Sequence, residues 1–348
     1  MAGTFFTVLV YSSDKKKYGP GSGLLWIGRI PETCYHGRLA LVIETVELTR
    51  EFKDVVAVEN LTMTVKEGEV FGFIGPNGAG KTTTVRMLCC LVNPTRGSAF
   101  VNGLDIANPK DRLKIRGMIG LLPETPGLYE SLSAYRNLDF FAQLYGISRE
   151  ERERRIKDLL TALAVWDRRD DPVAKFSKGM KQKIAIARAL VHEPSVLFLD
   201  EPTSGLDPQA SMTVRNYLMD LKKEGITIFL NTHNLDEAEK LCDRIGVIQR
   251  VLLAIGSPEE LSGKFWGKTT VVRLPLVTAE MVRAVEAIPS VSRVKEIEGK
   301  LLVELENPDR DNPLIVKALV DKGAQIEYVN ELKHGLEDIY LRLIGGPK

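Results

Sequence analysis

Cysteine, net charge and long apolar runs are all scarce in this chain, and each shortage narrows what it can be. Four cysteines, Cys34, Cys89, Cys90 and Cys242, stand in 348 residues. Two of them adjoin, too close for an ordinary disulfide, and no pair keeps a metal-ligand spacing. A disulfide framework is therefore not expected, and a reducing, cytoplasmic setting fits. Lysine and arginine number 47 against 46 acids, a formal charge of +1. No global field draws in nucleic acid or an anionic membrane, so no nucleic-acid partner is expected. No apolar run approaches the roughly 18–20 residues that cross a bilayer. The longest, 5–11 and 251–255, are strand-sized. The first lacks a basic stretch before it and a small-residue cleavage site after it, which argues against a signal peptide. A membrane-spanning part, if the protein works with one, comes from another polypeptide.

What is present reads as a folded protein of ordinary composition, 44% hydrophobic and 27% charged, long enough for two domains and an appendage. Residues 1–42 stand apart. Lys15, Lys16 and Lys17 lead into a glycine-rich stretch at 18–23 and an apolar patch at 24–27. This reads as a poorly ordered N-terminal extension, with a membrane-touching segment as the other reading. Patterning then becomes regular. Strands are expected at 42–48, 55–65, 69–74, 196–199 and 226–230, and helices at 81–91, 132–145, 149–165 and 177–191. The short apolar strands suit a buried parallel sheet. Residues 43–265 thus form one α/β domain with a helical insertion at about 125–190. Residues 266–348 form a second, α+β domain. Its expected order is strand 269–274, helix 278–288, strands 291–297 and 301–305, helix 313–322 and strand 325–329. That is β-α-β-β-α-β, closed by a terminal helix at 336–344.

One segment carries explicit chemistry. Gly75, Pro76, Asn77, Gly78, Ala79, Gly80, Lys81 and Thr82 fit the phosphate-loop pattern at every fixed position. Glycines let backbone N–H groups curl around a phosphate without Cβ clashes. The helix that follows, with Thr83 in its first turn, points its positive end at the same phosphate. Lys81 adds a charge on the β and γ phosphates, and the Thr82 hydroxyl can ligate Mg²⁺. The loop alone therefore points to a magnesium nucleotide, MgATP or MgGTP. Downstream, the apolar run 196–199 delivers Asp200 and Glu201. Asp200 can accept from Mg²⁺-bound water, and Glu201 can orient or deprotonate an attacking water. Alone, such a pair could equally cap the next element.

Together with further motifs, these segments resemble the ABC ATPase family over about residues 43–262. Phe176, Ser177, Lys178, Gly179 and Met180 resemble the signature Leu-Ser-Gly-Gly-Gln. Residues 204–207 resemble the D-loop, and His233 the switch histidine. The resemblance implies a phosphate-loop ABC cassette, with an antiparallel β subdomain beside the parallel core. It implies two ATP molecules sandwiched between two cassettes, in a homodimer or a heterodimer. Ser177, Gly179 and Asp207 would then serve the nucleotide of the partner, while His233 reaches the γ-phosphate together with Glu201 and Lys81. Lys178 and Met180 depart from the signature; Lys178 either adds charge near the phosphate or is a solvated lysine. Glu124 takes the place of the usual Q-loop glutamine and can contact the metal with Thr82 and Asp200. Phe52 takes the place of an aromatic that stacks on adenine, or is a core phenylalanine.

The second domain resembles accessory domains found after drug and sodium efflux cassettes. The expected function is the ATPase subunit of an exporter, peripheral on the cytoplasmic face of the cell membrane, docked on separate integral membrane permease subunits. The alternatives are a soluble ABC ATPase with a role outside transport, and a nucleotide-gated regulator. Retention of both Glu201 and His233 argues against the second.

Overall fold

The computed structural model describes residues 5–11, 24–31, 41–266, 268–332 and 335–345. It divides into a unit of residues 1–41 and a unit of residues 42–348. The first was expected to hold little regular structure. It contains β1 (Phe5–Tyr11) and β2 (Leu24–Pro31), paired antiparallel. Both strands are rich in the β-branched, aromatic and aliphatic residues that favour pleated backbone. The lysine run and the glycine-rich stretch lie outside the described residues.

The second unit opens with β3 (Leu41–Phe52), β4 (Val55–Lys66), β5 (Val70–Ile74), α1 (Lys81–Leu88), β6 (Arg96–Val101), β7 (Leu104–Asp105), α2 (Pro109–Met118) and β8 (Ile119–Leu122). The insertion follows as α3 (Ala134–Leu144), α4 (Arg149–Ala162) and α5 (Lys178–Leu190). Then come β9 (Val196–Asp200), α6 (Pro208–Lys223), β10 (Thr227–Thr232), α7 (Leu235–Leu241), β11 (Arg244–Gln249), β12 (Val251–Gly256) and α8 (Pro258–Trp266). The chain continues through β13 (Lys268–Arg273), α9 (Ala279–Glu286), β14 (Val291–Ile297), β15 (Lys300–Leu305), α10 (Pro308–Val320), β16 (Tyr328–Glu331) and α11 (Leu336–Ile344).

Six strands form the central sheet in the order β12-β11-β5-β10-β9-β8. All its pairs are parallel except β11 with β12. Every residue of β5, β9 and β10 is buried, as strands covered on both faces must be. A separate sheet, β4-β3-β6-β7, lies beside it, with β6 antiparallel to β3 and to β7. Register is what matters for the site. Thr232 at the end of β10 pairs with Ile74 of β5, and Asn231 pairs with Asp200 of β9. One strand therefore aligns the mouths of its two neighbours. Phe229 of β10 fixes that alignment, with ring centroids 5.6 Å from Phe71, 5.3 Å from Phe73 and 5.5 Å from Phe198. Such aromatic pairs add about 0.5–1.5 kcal/mol each beyond the area they bury.

The C-terminal sheet runs β14-β15-β13-β16 with antiparallel pairs throughout. It keeps its own core around Val272, Val285, Leu301, Val303, Ile315 and Leu319. The helix expected at 313–322 begins earlier, at Pro308. Asn307 caps it, and Pro313 sits inside it. The terminal helix also differs from expectation. It does not close the C-terminal sheet: Leu336 and Ile339 of α11 are buried in the core of the central sheet and insertion, and α11 packs on α7 and α8.

Candidate active site

The phosphate loop begins where buried β5 ends. Gly78 at φ +78° and Gly80 at φ +101° lie in the left-handed region that favours glycine. A Cβ on Gly80 would come within 2.3 Å of the Ala57 carbonyl oxygen, and one on Gly75 within 2.2 Å of that of Ile248. Those two glycines are bare because the protein itself crowds them. At Gly78 a Cβ would meet nothing within 4 Å, so this bareness leaves room for something outside the chain. Asn77 beside it is exposed, Pro76 half-buried and Ala79 buried, with the Ala79 N–H closing the turn on the Pro76 carbonyl at 3.2 Å.

α1 starts at Lys81 with Gly80 as its N-cap, no side-chain cap and no acid in its first turn, where Thr82 and Thr83 lie. Its first N–H groups are thus left for an external acceptor. Lys81 folds over the loop, donating to the carbonyls of Gly75 at 2.7 Å and Pro76 at 3.1 Å. Burial lowers its pKa, while Glu201, Asp200 and Glu124 pull it back up.

Asp200, at the end of β9, is 4% exposed. Its carboxylate accepts from the Thr82 hydroxyl at 3.1 Å and from the Asn231 amide. Burial raises its pKa; Glu124 and Glu201 raise it further, and the hydrogen bonds from Thr82 and Asn231 oppose them. Glu201 follows at φ +53°, a region that non-glycine residues enter at a cost of about 1–3 kcal/mol. Its N–H donates to the Asn231 carbonyl at 2.9 Å, which holds the turn. Its Oε1 accepts the His233 backbone N–H at 2.9 Å and lies 2.6 Å from His233 Nδ1. Its Oε2 lies 3.4 Å from the Thr232 hydroxyl. The acid is thus clamped while the imidazole is mostly exposed.

The second half of the expected set lies elsewhere. Ser177 is the N-cap of α5 and takes the Met180 N–H at 3.3 Å. Asp207 is the N-cap of α6 and takes the Ala210 N–H at 2.8 Å. These two helix starts adjoin: a Cβ on Gly179 would lie 3.0 Å from Ala210 Cβ and 3.8 Å from an Asp207 oxygen. The Lys178 ammonium lies across Gly205, where a Cβ would meet it at 2.2 Å. Lys178 is exposed, as the reading of a solvated lysine expects, and its side chain rests on the D-loop glycine. Among the described residues no hydrogen bond or ion pair joins 176–180 to the phosphate loop.

Phe52 ends β3 at 43% exposure, with the Arg50 guanidinium 4.2 Å from its ring centroid. The reading of Phe52 as a core residue is therefore corrected. Glu124 is exposed in the turn after β8. Its charge is felt at Lys81 and Asp200, though among the described residues no hydrogen bond fixes it.

Several site residues escape the sequence reading. Asn231, 1% exposed, ties β10 to Asp200, and its Oδ1 has no partner in the structure. Glu237, also 1% exposed, accepts from the Thr203 and Thr232 hydroxyls. Burial raises its pKa, and facing Arg215 lowers it. The Asn-x-x-Glu spacing at 234–237 was legible as a helix start, yet the Glu237 carboxylate turns away from the cap toward the threonines. A cavity of about 260 Å³ opens beside Glu201, Thr203, Arg215, His233 and Asn234.

These donors suit a magnesium nucleotide. The uncapped N–H groups of α1 and the Lys81 ammonium could donate to phosphate oxygens beside the open Gly78, and the Thr82 and Asp200 oxygens could ligate a cation. Among the described residues no three His, Cys, Asp or Glu side chains gather to hold a metal unaided. That is compatible with Mg²⁺, which keeps several waters and takes its other ligands from phosphate.

Comparison with known proteins agrees with this geometry. A family described as "ABC transporter" matches residues 58–204, and one described as "ATP-binding protein DrrA1-3-like, C-terminal domain" matches residues 256–344. "Probable multidrug ABC transporter ATP-binding protein YbhF" of Escherichia coli (strain K12) is 37% identical over 71% of this chain; the match spans 42% of that relative's length. "Bacitracin transport ATP-binding protein BcrA" of Bacillus licheniformis is 33% identical over 88% of this chain and 99% of its own length. Among solved structures, an "ATP binding subunit of ABC transporter" superposes with a TM-score of 0.60 at 35% identity, covering 65% of this chain and 94% of that one. A dimeric post-hydrolysis form of the cassette MJ0796 bound to ADP and Pi superposes at 0.57 and 25% identity, covering 62% and 98%.

Proposed function

The chain belongs to the family of ABC transporter ATP-binding proteins, and on that premise we propose that it hydrolyses MgATP, paired with a second cassette, to drive export through separate membrane subunits. The observation that carries this reading is the clamp on Glu201. Its carboxylate is held by the His233 backbone N–H and faces His233 Nδ1, one residue beyond the Asp200–Thr82 pair. The residues then divide the work. Gly75, Pro76, Asn77, Gly78, Ala79, Gly80, Thr83 and the start of α1 wrap the phosphates, and Lys81 neutralises them. Thr82 and Asp200, with Glu124 nearby, hold Mg²⁺, which when bound offsets the charge developing on the phosphate oxygens. Glu201 orients the attacking water and takes its proton, while His233 holds Glu201 and faces the γ-phosphate. Phe52 supplies a ring face for adenine.

Ser177, Gly179 and Asp207 serve the nucleotide of the opposite cassette. Their place at adjoining helix starts, unconnected to the chain's own phosphate loop, supports that division. The insertion offers Tyr129, Phe140, Leu144 and Tyr145, each at least 40% exposed, as an apolar face for a membrane subunit. No described helix is long and apolar enough to cross a membrane. Export is supported by the C-terminal match and by relatives named for multidrug and bacitracin transport.

The test is Glu201→Gln. ATP binding should persist and an ATP-bound dimer should accumulate. Phosphate release should fall by about 10²–10⁴-fold. Normal turnover in this variant would remove Glu201 as the base.

A further inference from the structure

Hydrolysis as described leaves Glu237, a buried acid beside Glu201 and His233, without a task. Glu237 lies in the first turn of α7, and an acid this buried persists only with partners. Its partners come from two different segments. Thr203 donates to Oε1 at 2.8 Å, and Thr232 lies 3.4 Å from Oε2. Thr203 stands two residues after Glu201, in the turn that leads to Asp207. Thr232 ends β10, next to His233. The carboxylate thus bridges the D-loop side of the site to the histidine side.

Thr232 makes that bridge consequential. Its hydroxyl oxygen already accepts the Asn234 N–H at 3.0 Å and lies 3.4 Å from both Glu201 Oε2 and Glu237 Oε2. A hydroxyl has one proton to give. It can steady Glu201 or satisfy Glu237, not both at once. The choice depends on Thr203. With Thr203 donating, Glu237 is served and the Thr232 proton is free for Glu201. With Thr203 withdrawn, the buried Glu237 claims it, because an unserved buried carboxylate is the costlier loss.

We propose, resting on the assignment of Glu201 as the base, that Glu237 is a positioning residue. It competes with Glu201 for the Thr232 hydroxyl, so that the D-loop, through Thr203, sets how firmly the base is held. Movement of residues 203–207 as a second cassette closes on them would be felt at Glu201 without any change in the phosphate loop.

The experiment is steady-state ATP hydrolysis by the full chain carrying Thr203→Val, Thr203→Ser, Glu237→Gln and the Thr203→Val/Glu237→Gln pair, beside Glu201→Gln. Thr203→Val should lower kcat about tenfold while KM for ATP stays within about twofold, the pattern of a residue that supports a catalytic group, and Glu237→Gln, whose neutral amide has less claim on the Thr232 proton, should lose less than Thr203→Val. Thr203→Ser, which restores the hydroxyl, should restore kcat. The double variant should be faster than Thr203→Val alone, since removing the competing carboxylate returns the Thr232 proton to Glu201. Half-buried Thr203 keeps the test alive if Glu237→Gln does not fold. Unchanged kcat in Thr203→Val, a parallel rise in KM, or a double variant no faster than Thr203→Val would overturn the proposal. If Glu201→Gln turned over normally, the fault would lie in the base assignment. If Glu201→Gln were inactive and Thr203→Val normal, only the Glu237 link would fall.

Discussion

Two glycine-bearing helix starts in this molecule are built in opposite ways. α1 begins on Gly80 with nothing capping its N–H groups, Lys81 folded over the loop and three acids acting on that lysine. α5 begins on Ser177, whose hydroxyl serves its own helix, and its neighbours are Gly179, Asp207 and Ala210. The first start is complete within one chain, and the second lacks its counterpart. The difference is what the proposed pairing with a second cassette expects of a half-site and its complement.

The strongest way to break that comparison uses Lys81 and Ser177. In the isolated chain, Lys81→Ala should weaken ATP binding about 100-fold, the scale for truncating a buried charge partner. Ser177→Ala should leave binding within about twofold while lowering turnover. Nucleotide titration by fluorescence decides; equal losses would mean that both starts serve the same phosphate.

The glycines sharpen it. Gly80→Ala meets a carbonyl and keeps φ at +101°, and should lower stability by about 1–3 kcal/mol. Gly179→Ala meets no backbone, its tightest contact being Ala210 Cβ at 3.0 Å, and gains helix propensity. Its stability should stay within about 1 kcal/mol of the parent. Denaturant unfolding separates the two.

Acidity probes the first start alone. The Asp200 carboxyl sits above its ordinary 3.8. The native state therefore holds this proton to higher pH than the unfolded chain does. Stability from this group is fully present below that ordinary value and is lost as pH rises through the raised one. Asp200→Asn removes the loss. Without nucleotide, the variant should melt about 2–4 °C higher at neutral pH, with the gain vanishing in acid and no hydrolysis at any pH. A gain that persisted in acid would show that another group is responsible.

The smallest effect belongs to the adenine face. Phe52→Ala should raise KM for ATP about threefold, and Phe52→Tyr should not.

Much of this was readable in advance, for identifiable reasons. The phosphate loop is local: its glycines, lysine and threonine are contiguous, so spacing reveals geometry. The apolar strand before Asp200 and Glu201 is equally plain, and the β-α-β-β-α-β order of the C-terminal unit follows from short alternating runs. What stayed hidden depends on contacts between distant segments. Asn231 and Thr232 looked like the residues after a strand, because the run 226–230 stops being apolar before β10 stops pairing. Their roles come from the registers with Asp200 and Ile74. Glu237 reads as an ordinary first-turn acid, and only the approach of Thr203, 34 residues away, gives it a purpose. α2 and α6 were not anticipated, although α6 repeats its buried Ala210, Val214, Leu218 and Leu221 at helical spacing. Phe52 could not be placed because β3 runs past the expected stop at 48.

The seating of α11 has a practical consequence for taking the molecule apart. The C-terminal family match begins at residue 256, which invites a cut after α8. Such a cut would also remove Leu336 and Ile339, both fully buried against the central core. The fragment would present bare oil where α7 and α8 now lie covered, and stickiness and low yield would then be mistaken for a defect in the ATPase. A faithful minimal cassette has to keep its last helix, carried across on a bridge that skips the small sheet.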